Sequence, residues 1–235
     1  MNRIILCSFL LLSNGLSVFA EVRLPRFFSD HMVLQQQTSN AIWGWANPGE
    51  QIKIKSSWGV SVSTEAGADG RWKIFLKTLG HATGQSLGFS GSNTIQITDI
   101  AIGEVWLCAG QSNMGWSVAN SFEAEGESKV DLPHLRIFRS AREHWHEPLE
   151  ENRDRLSQWK RCDPKAAAET SAVAYYFGKK LHEELKIPVG IIQRAYAGTP
   201  IEGWMPWNIQ KLSLIHISEP TRPERISYAL FCVKK

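Results

Sequence analysis

Residues 103–115 read Gly-Glu-Val-Trp-Leu-Cys-Ala-Gly-Gln-Ser-Asn-Met-Gly. A short apolar run at 105–108 breaks at Ala109-Gly110 into a small polar cluster centred on Ser112. That layout puts a hydroxyl at the C-terminal end of a buried strand, where open α/β sheets carry their chemistry. A serine there can attack a carbonyl, provided a base lies nearby and backbone N–H groups face the developing oxyanion. Position 114 is Met, so this is not the Gly-x-Ser-x-Gly elbow of the α/β-hydrolases. Taken alone, the same residues also fit a Ser-Asn turn that caps a helix.

Downstream, the periodicity supports an α/β reading. Residues 135–138, Leu-Arg-Ile-Phe, form a short strand candidate. Residues 170–185 place Val173, Phe177, Leu181 and Leu185 at four-residue spacing, which predicts the apolar stripe of an amphipathic helix. Pro188 stops that helix, and Val189-Gly-Ile-Ile-Gln193 reads as a buried parallel strand. Strand, helix and strand at this spacing make a βαβ unit.

Upstream, residues 21–99 read as short strands. Residues 41–46 lead into Asn47-Pro48-Gly49-Glu50, with Pro and Gly placed for a type II turn. Residues 51–56 alternate strictly, Val60 and Val62 repeat the pattern, and Trp72, Ile74 and Leu76 recur at period two after the Asp69-Gly70 turn. Thr94-Ile-Gln-Ile-Thr98 follows Ser92-Asn93. Such strands, punctuated by Gly, Asn and Pro, predict a small antiparallel β-sandwich-like region.

The Gly110-Gln-Ser-Asn-Met114 block resembles the first conserved block of the SGNH hydrolases, in the variant of the sialate O-acetylesterases and related carbohydrate acetylesterases. A second cluster, Ala197-Gly-Thr-Pro-Ile-Glu-Gly-Trp204, is similar to that family's Gly-Gly-Thr-Pro-Ile-Glu-x-Trp segment, with Ala197 replacing the first glycine. The likeness runs from Leu24 to about Trp207 and includes Leu24-Pro-Arg-Phe-Phe-Ser-Asp-His-Met-Val-Leu-Gln35. It implies the first part of a three-layer α/β/α hydrolase domain over 100–211, incomplete, behind the β-rich domain of 21–99. It implies Ser112 as nucleophile, the N–H groups of Ser112 and Gly198 as oxyanion donors, and Gln111, Asn113, Trp116, Thr199 and Trp204 as substrate contacts. The implied substrate is an O-acetylated carbohydrate, either sialic acid or, alternatively, acetylxylan or another plant glycan. No cofactor or metal is implied.

The family's general base comes from an Asp-x-x-His motif, and a Gln-Gly-Glu-Ser-Asn segment supplies a further oxyanion donor; neither lies before Lys211. Asp131-Leu-Pro-His134 matches the first by letter but precedes the βαβ unit, so it reads as a decoy.

Both ends of the chain read as foreign to the fold. Arg3, an apolar run at 4–12 and Val18-Phe-Ala20 predict a signal peptide over 1–20, and hence a secreted or periplasmic protein without a membrane anchor. Residues 212–222 look like a sequencing adapter translated in frame, so 212–235 is read as a non-native tail with no packed role. The whole sequence carries +3 at pH 7. The tail contributes four Lys/Arg against two Asp/Glu, and Arg3 adds one more charge, so the remainder is neutral. Charge therefore gives no support for nucleic-acid binding. Cys108 and Cys162 are the cysteines outside those ends, and Cys108, in an apolar strand, is expected as a buried thiol.

His144-Trp-His146 lacks the further ligands of a metal site, and His31 and His81 read as structural. Ten tryptophans suit a sugar-binding protein, although Trp43, Trp45 and Trp72 read as core. A reading of another class treats the β-rich region as a non-catalytic glycan-binding module.

Overall fold

The computed structural model describes residues 21–122, 124–127, 129–140, 151, 157–205 and 231–234. The expected signal peptide, His144-Trp-His146 and positions 212–230 of the expected tail lie outside these residues.

The β-rich region contains β1 (Val33–Gln35), β2 (Ser39–Trp45), β3 (Gln51–Ser56), β4 (Ser61–Glu65), β5 (Arg71–Lys77) and β6 (Ala82–Ser90). β2 and β5 pair as a two-stranded sheet. β4, β3, β6 and the start of β7 (Thr94–Gly110) form antiparallel neighbours. The alternation seen in β3 has its physical cause here: Ile52 and Ile54 are fully buried, while Lys53 and Lys55 face solvent. Those isoleucines share a core with Ile42, Trp72, Leu76, Leu87 and Phe89. The Asn47–Glu50 turn closes with a 3.0 Å bond from Glu50 N–H to the Asn47 carbonyl, and Gly49 adopts φ +75°.

The expected junction at 99/100 falls inside β7, which runs 17 residues without a break. Its neighbours change along its length. Up to Ile102 it pairs antiparallel with β6, and Ala101–Gly103 pair parallel with β1. From Glu104 to Gly110 it pairs parallel with β10 (Val189–Ala195). β10 also pairs parallel with β8 (Leu132–Arg139), and β9 (Trp159–Cys162) closes that edge antiparallel to β8. One sheet therefore spans both regions, and the fold is α/β with sheet predominant.

Side-chain alternation sends this sheet into two cores. Ile192, Phe138, Val105 and Trp159 face one way and join Phe28, Met32 and Val33 of the β-rich region. Ile191, Ile137, Leu135 and Cys108 face the other way, under α4 (Ala172–Leu185). Three short helices, α1 (Ser112–Gly115), α2 (Ala124–Glu127) and α3 (Pro164–Glu169), and two 3-10 turns, Val118–Asn120 and Ile201–Trp204, lie in the connections. None of the helices among the described residues is long and apolar enough to cross a membrane.

Two expectations require correction. The most buried face of α4 is Ala174, Tyr175 and Gly178; Val173, Phe177 and Leu181 of the expected stripe flank it, partly buried but packed against the same core, and Leu185 is exposed. Gly178 is the reason: a Cβ there would lie 2.9 Å from Leu135 Cδ1, so small residues allow the helix to sit close to the strands. Second, the expected tail does not lie wholly apart from the fold. Residues 231–234 form β11 (Phe231–Lys234), antiparallel to β7 along Trp106–Ala109. The N–H and C=O groups on that edge of β7 need partners, and an extended segment supplies them.

Candidate active site

β7 ends at Gly110, and Ser112 begins the single turn of α1. Local packing fixes that turn. Met114 is buried against the second core, and Ser171 Oγ donates to its Sδ at 3.4 Å. A Cβ on Gly110 would come within 2.9 Å of Met114 Cβ, so the strand must end in glycine for Met114 to fold under it. The Gly115 N–H closes the turn on the Gln111 carbonyl at 3.0 Å, and the Trp116 carbonyl accepts from Ala172 N–H at 2.7 Å. With its base pinned in this way, the turn presents Gln111, Ser112 and Asn113 to solvent.

The second cluster arrives at the same sheet edge because β10 is the parallel neighbour of β7 and ends in register with it, Ala195 opposite Gly110. Tyr196 N–H donates to the Gly110 carbonyl at 3.0 Å, carrying the pairing one residue past the strand. Gly198 then turns at φ +74°, a conformation that glycine adopts without the Cβ clash. The Gln111 side-chain amide donates to the Thr199 carbonyl. Thr199 Oγ1 donates to the Tyr196 carbonyl at 2.9 Å and accepts from Trp204 Nε1 at 2.8 Å. Ser112, Gln111, Gly198, Thr199 and Trp204 thus belong to one loop pair.

Two expected substrate contacts stand on the same loops. Trp116 is 56% exposed, with its Nε1–H donating to the Asn120 carbonyl at 2.9 Å, so the ring is held while a face stays open. The carbonyl of Asn113 accepts from Trp116 N–H at 3.3 Å, and its side chain is exposed.

The described histidines lie elsewhere. His134 is near the start of β8, and β8, β7 and β10 run parallel, so it sits at the sheet edge opposite Ser112. Its ring lies 5.9 Å from that of His182. His31 pairs with Asp99 at 2.6 Å, and among the described residues none of the histidines is bonded to the Ser112 hydroxyl. Cys108 and Cys162 are both buried thiols, and burial pushes the Cys162 thiol up to about 12, with the Asp163 charge adding to it.

Motif reading missed two supports of this site. Gln193, inside β10, is buried and accepts from Ser171 N–H at 3.0 Å, tying α4 to the strand below the site. A buried glutamine in an apolar run was the available signal. The Tyr196 bond to Gly110 is a backbone contact and leaves no side-chain signature.

Residues 102–216 match the family model described as carbohydrate esterase, sialic acid-specific acetylesterase. Human sialate O-acetylesterase is 28% identical over 209 residues, 77% of this chain and 38% of that protein. The mouse sialate O-acetylesterase is also 28% identical, over 203 residues, 77% of this chain and 37% of its own length. A crystal structure of a carbohydrate acetylesterase from Xanthomonas citri superposes with a TM-score of 0.74 at 30% identity, covering 78% of this chain and 42% of that one. The chain thus spans well under half the length of these relatives. Residues 102–216, which hold both loops of the site, are thus similar to the sialic acid-specific acetylesterases, a family of carbohydrate esterases.

Proposed function

We propose that the chain belongs to an exported O-acetylesterase that removes acetyl groups from sialic acid or a related sugar, with Ser112 as nucleophile. The observation that carries this reading is the joining of two loops at one sheet edge: Ser112 after β7 and Gly198 after the parallel neighbour β10. Ser112 Oγ bonds to the acetyl carbonyl carbon, and its proton passes to a base. The N–H groups of Ser112 and Gly198 hold the oxyanion. Collapse expels the sugar hydroxyl, which takes up a proton, and leaves acetyl-Ser112. Water then attacks that ester and releases acetate.

Such chemistry needs a histidine oriented by a carboxylate. Among the described residues none of the histidines is bonded to the Ser112 hydroxyl, so we expect the described part of the chain by itself to release acetate only very slowly. Trp116, exposed beside the nucleophile, is the sugar-stacking surface in this reading.

The test is acetate release from O-acetylated sialic acid and from acetylated xylan, by a version of the chain extended with the family's C-terminal part. Release from the first substrate, abolished by Ser112→Ala, is the expected result. Turnover unchanged in Ser112→Ala would eliminate the assignment, and activity confined to xylan would move the substrate to a plant glycan.

A further inference from the structure

Gly198 turns at φ +74° with no side chain of its own to pack, and among the described residues a Cβ placed there would meet nothing within 4 Å. An N–H that must hold an oxyanion cannot be left to wander, because preorganisation is the source of its effect. Its position must come from hydrogen bonds. Three side-chain groups provide them. Gln111, the residue before Ser112, donates its amide to the Thr199 carbonyl. The hydroxyl of Thr199 donates to the Tyr196 carbonyl at 2.9 Å, bridging the turn from one side of Gly198 to the other. Trp204 Nε1 donates to that same hydroxyl at 2.8 Å. The hydroxyl therefore has its single proton directed at Tyr196 and a lone pair engaged by the indole, which fixes its rotor.

We infer that Gln111, Thr199 and Trp204 form a latch that holds the Gly198 amide beside Ser112, and that they are positioning residues and not substrate contacts. The inference rests on the proposed role of the Ser112–Gly198 pair but concerns different side chains. The latch also explains why the residue before the nucleophile is an amide. A glutamate of equal length has no N–H for the Thr199 carbonyl and would repel it.

The experiment uses the chain itself, with two readouts that do not require turnover. The first is amide hydrogen exchange over residues 196–199. Gln111→Glu and Thr199→Val are each expected to speed it by roughly three- to tenfold, the worth of one hydrogen bond. Trp204→Phe should give a smaller acceleration, Thr199→Ser should restore the wild-type rate, and β3 should exchange as before. The second readout is titration with acetate, the product carboxylate, followed through the Ser112 and Gly198 amide resonances. Gln111→Glu and Thr199→Val should weaken the Gly198 response by a comparable factor, with Thr199→Ser again restoring it. Unchanged exchange in either variant overturns the latch, as does equal acceleration in β3, which would mean general destabilisation. An acetate response at Gly198 identical in Gln111→Glu and wild type overturns the positioning role. If acetate moves neither amide in the wild type, the oxyanion reading of the pair falls, and exchange alone decides whether the latch exists.

Discussion

The carboxylate of Asp99 takes two hydrogen bonds, at 2.9 and 3.2 Å, from the guanidinium of Arg136, whose side chain is only 3% exposed. Asp99 sits where β7 passes from its antiparallel to its parallel neighbours, and it also binds Arg161 at 2.8 Å and His31 at 2.6 Å. Burial works to raise its pKa, but the bonds from Arg136, His31 and Arg161 outweigh it and hold the carboxyl well below the usual range. A carboxylate with a depressed folded pKa contributes stability that is fully present above its unfolded value. That stability is lost as pH falls toward the folded value. Denaturant midpoints should therefore hold steady from neutral pH down to about 5 and decline below about pH 4. Asp99→Asn keeps a residue tolerant of the positive φ of 51° but strands the Arg136 charge. It should cost about 3 kcal/mol at pH 7 and flatten that acid decline. An Asp99→Asn chain as stable as wild type at pH 7 contradicts this account.

Gly178→Ala tests the close seat of α4. The new methyl would lie 2.9 Å from Leu135 Cδ1 and 3.0 Å from Ile191 Cγ1, with well-packed neighbours that must shift. Helix propensity favours alanine by up to about 1 kcal/mol, and overpacking opposes it by about 1–3 kcal/mol. We expect net destabilisation, read as a lower urea midpoint. A higher midpoint would mean that the strands yield freely.

Ser112→Ala should leave stability within about 0.5 kcal/mol, since the residue is exposed at the head of α1. Gly198→Ala, by contrast, forces φ +74° on a residue with a Cβ and should cost about 1–2 kcal/mol, although nothing nearby clashes with the methyl. Calorimetric melting of the two variants side by side measures the difference. Equal melting temperatures would be incompatible with a left-handed turn at 198.

The thiols of Cys108 and Cys162 are buried, and Cys162 is pushed up to about 12 by its burial. At pH 8 it carries almost no thiolate, and thiolate is the reactive form. Alkylation followed by peptide mapping should leave both unmodified in the folded chain and modify both after denaturation. A recovered Cys108–Cys162 disulfide peptide would refute the reading of both as buried thiols.

The elements legible in the sequence were those whose surroundings stay uniform along the strand. β3 alternates cleanly because one face meets the core and the other meets water, and β10 reads as an unbroken apolar run because both faces are buried. β6 escaped notice: Gly84 and Gly88 interrupt it, and its pairing with β7 shifts register twice. The continuity of β7 through Asp99 was hidden by a polar, positive-φ residue whose charge is neutralised by Arg136 and Arg161, more than thirty residues downstream. In α4, spacing located the helix but missed the centre of its buried face, since a glycine contact has no hydropathy. At the candidate site the two motifs announced themselves. The bond from Gln111 to Thr199 did not, because it joins a side chain to a backbone oxygen 88 residues away.

The 17-residue β7 also dictates the order in which the chain can be assembled as it leaves the ribosome. β1 has no hydrogen-bonded neighbour until Ala101–Gly103 have emerged, and β6 must wait for the same stretch to pair Ala82 with Ile102. β2 can pair with β5, and β3 with β4 and β6, before that point, so it is β1 and the second edge of β6 that stay open. They close together when β7 appears, and the same strand's far half then becomes the template on which β10 is laid down. Any delay in the emergence of β7 prolongs the exposure of those two edges to neighbouring nascent chains, and the half of β7 beyond Gly103 stays exposed in turn until β10 follows.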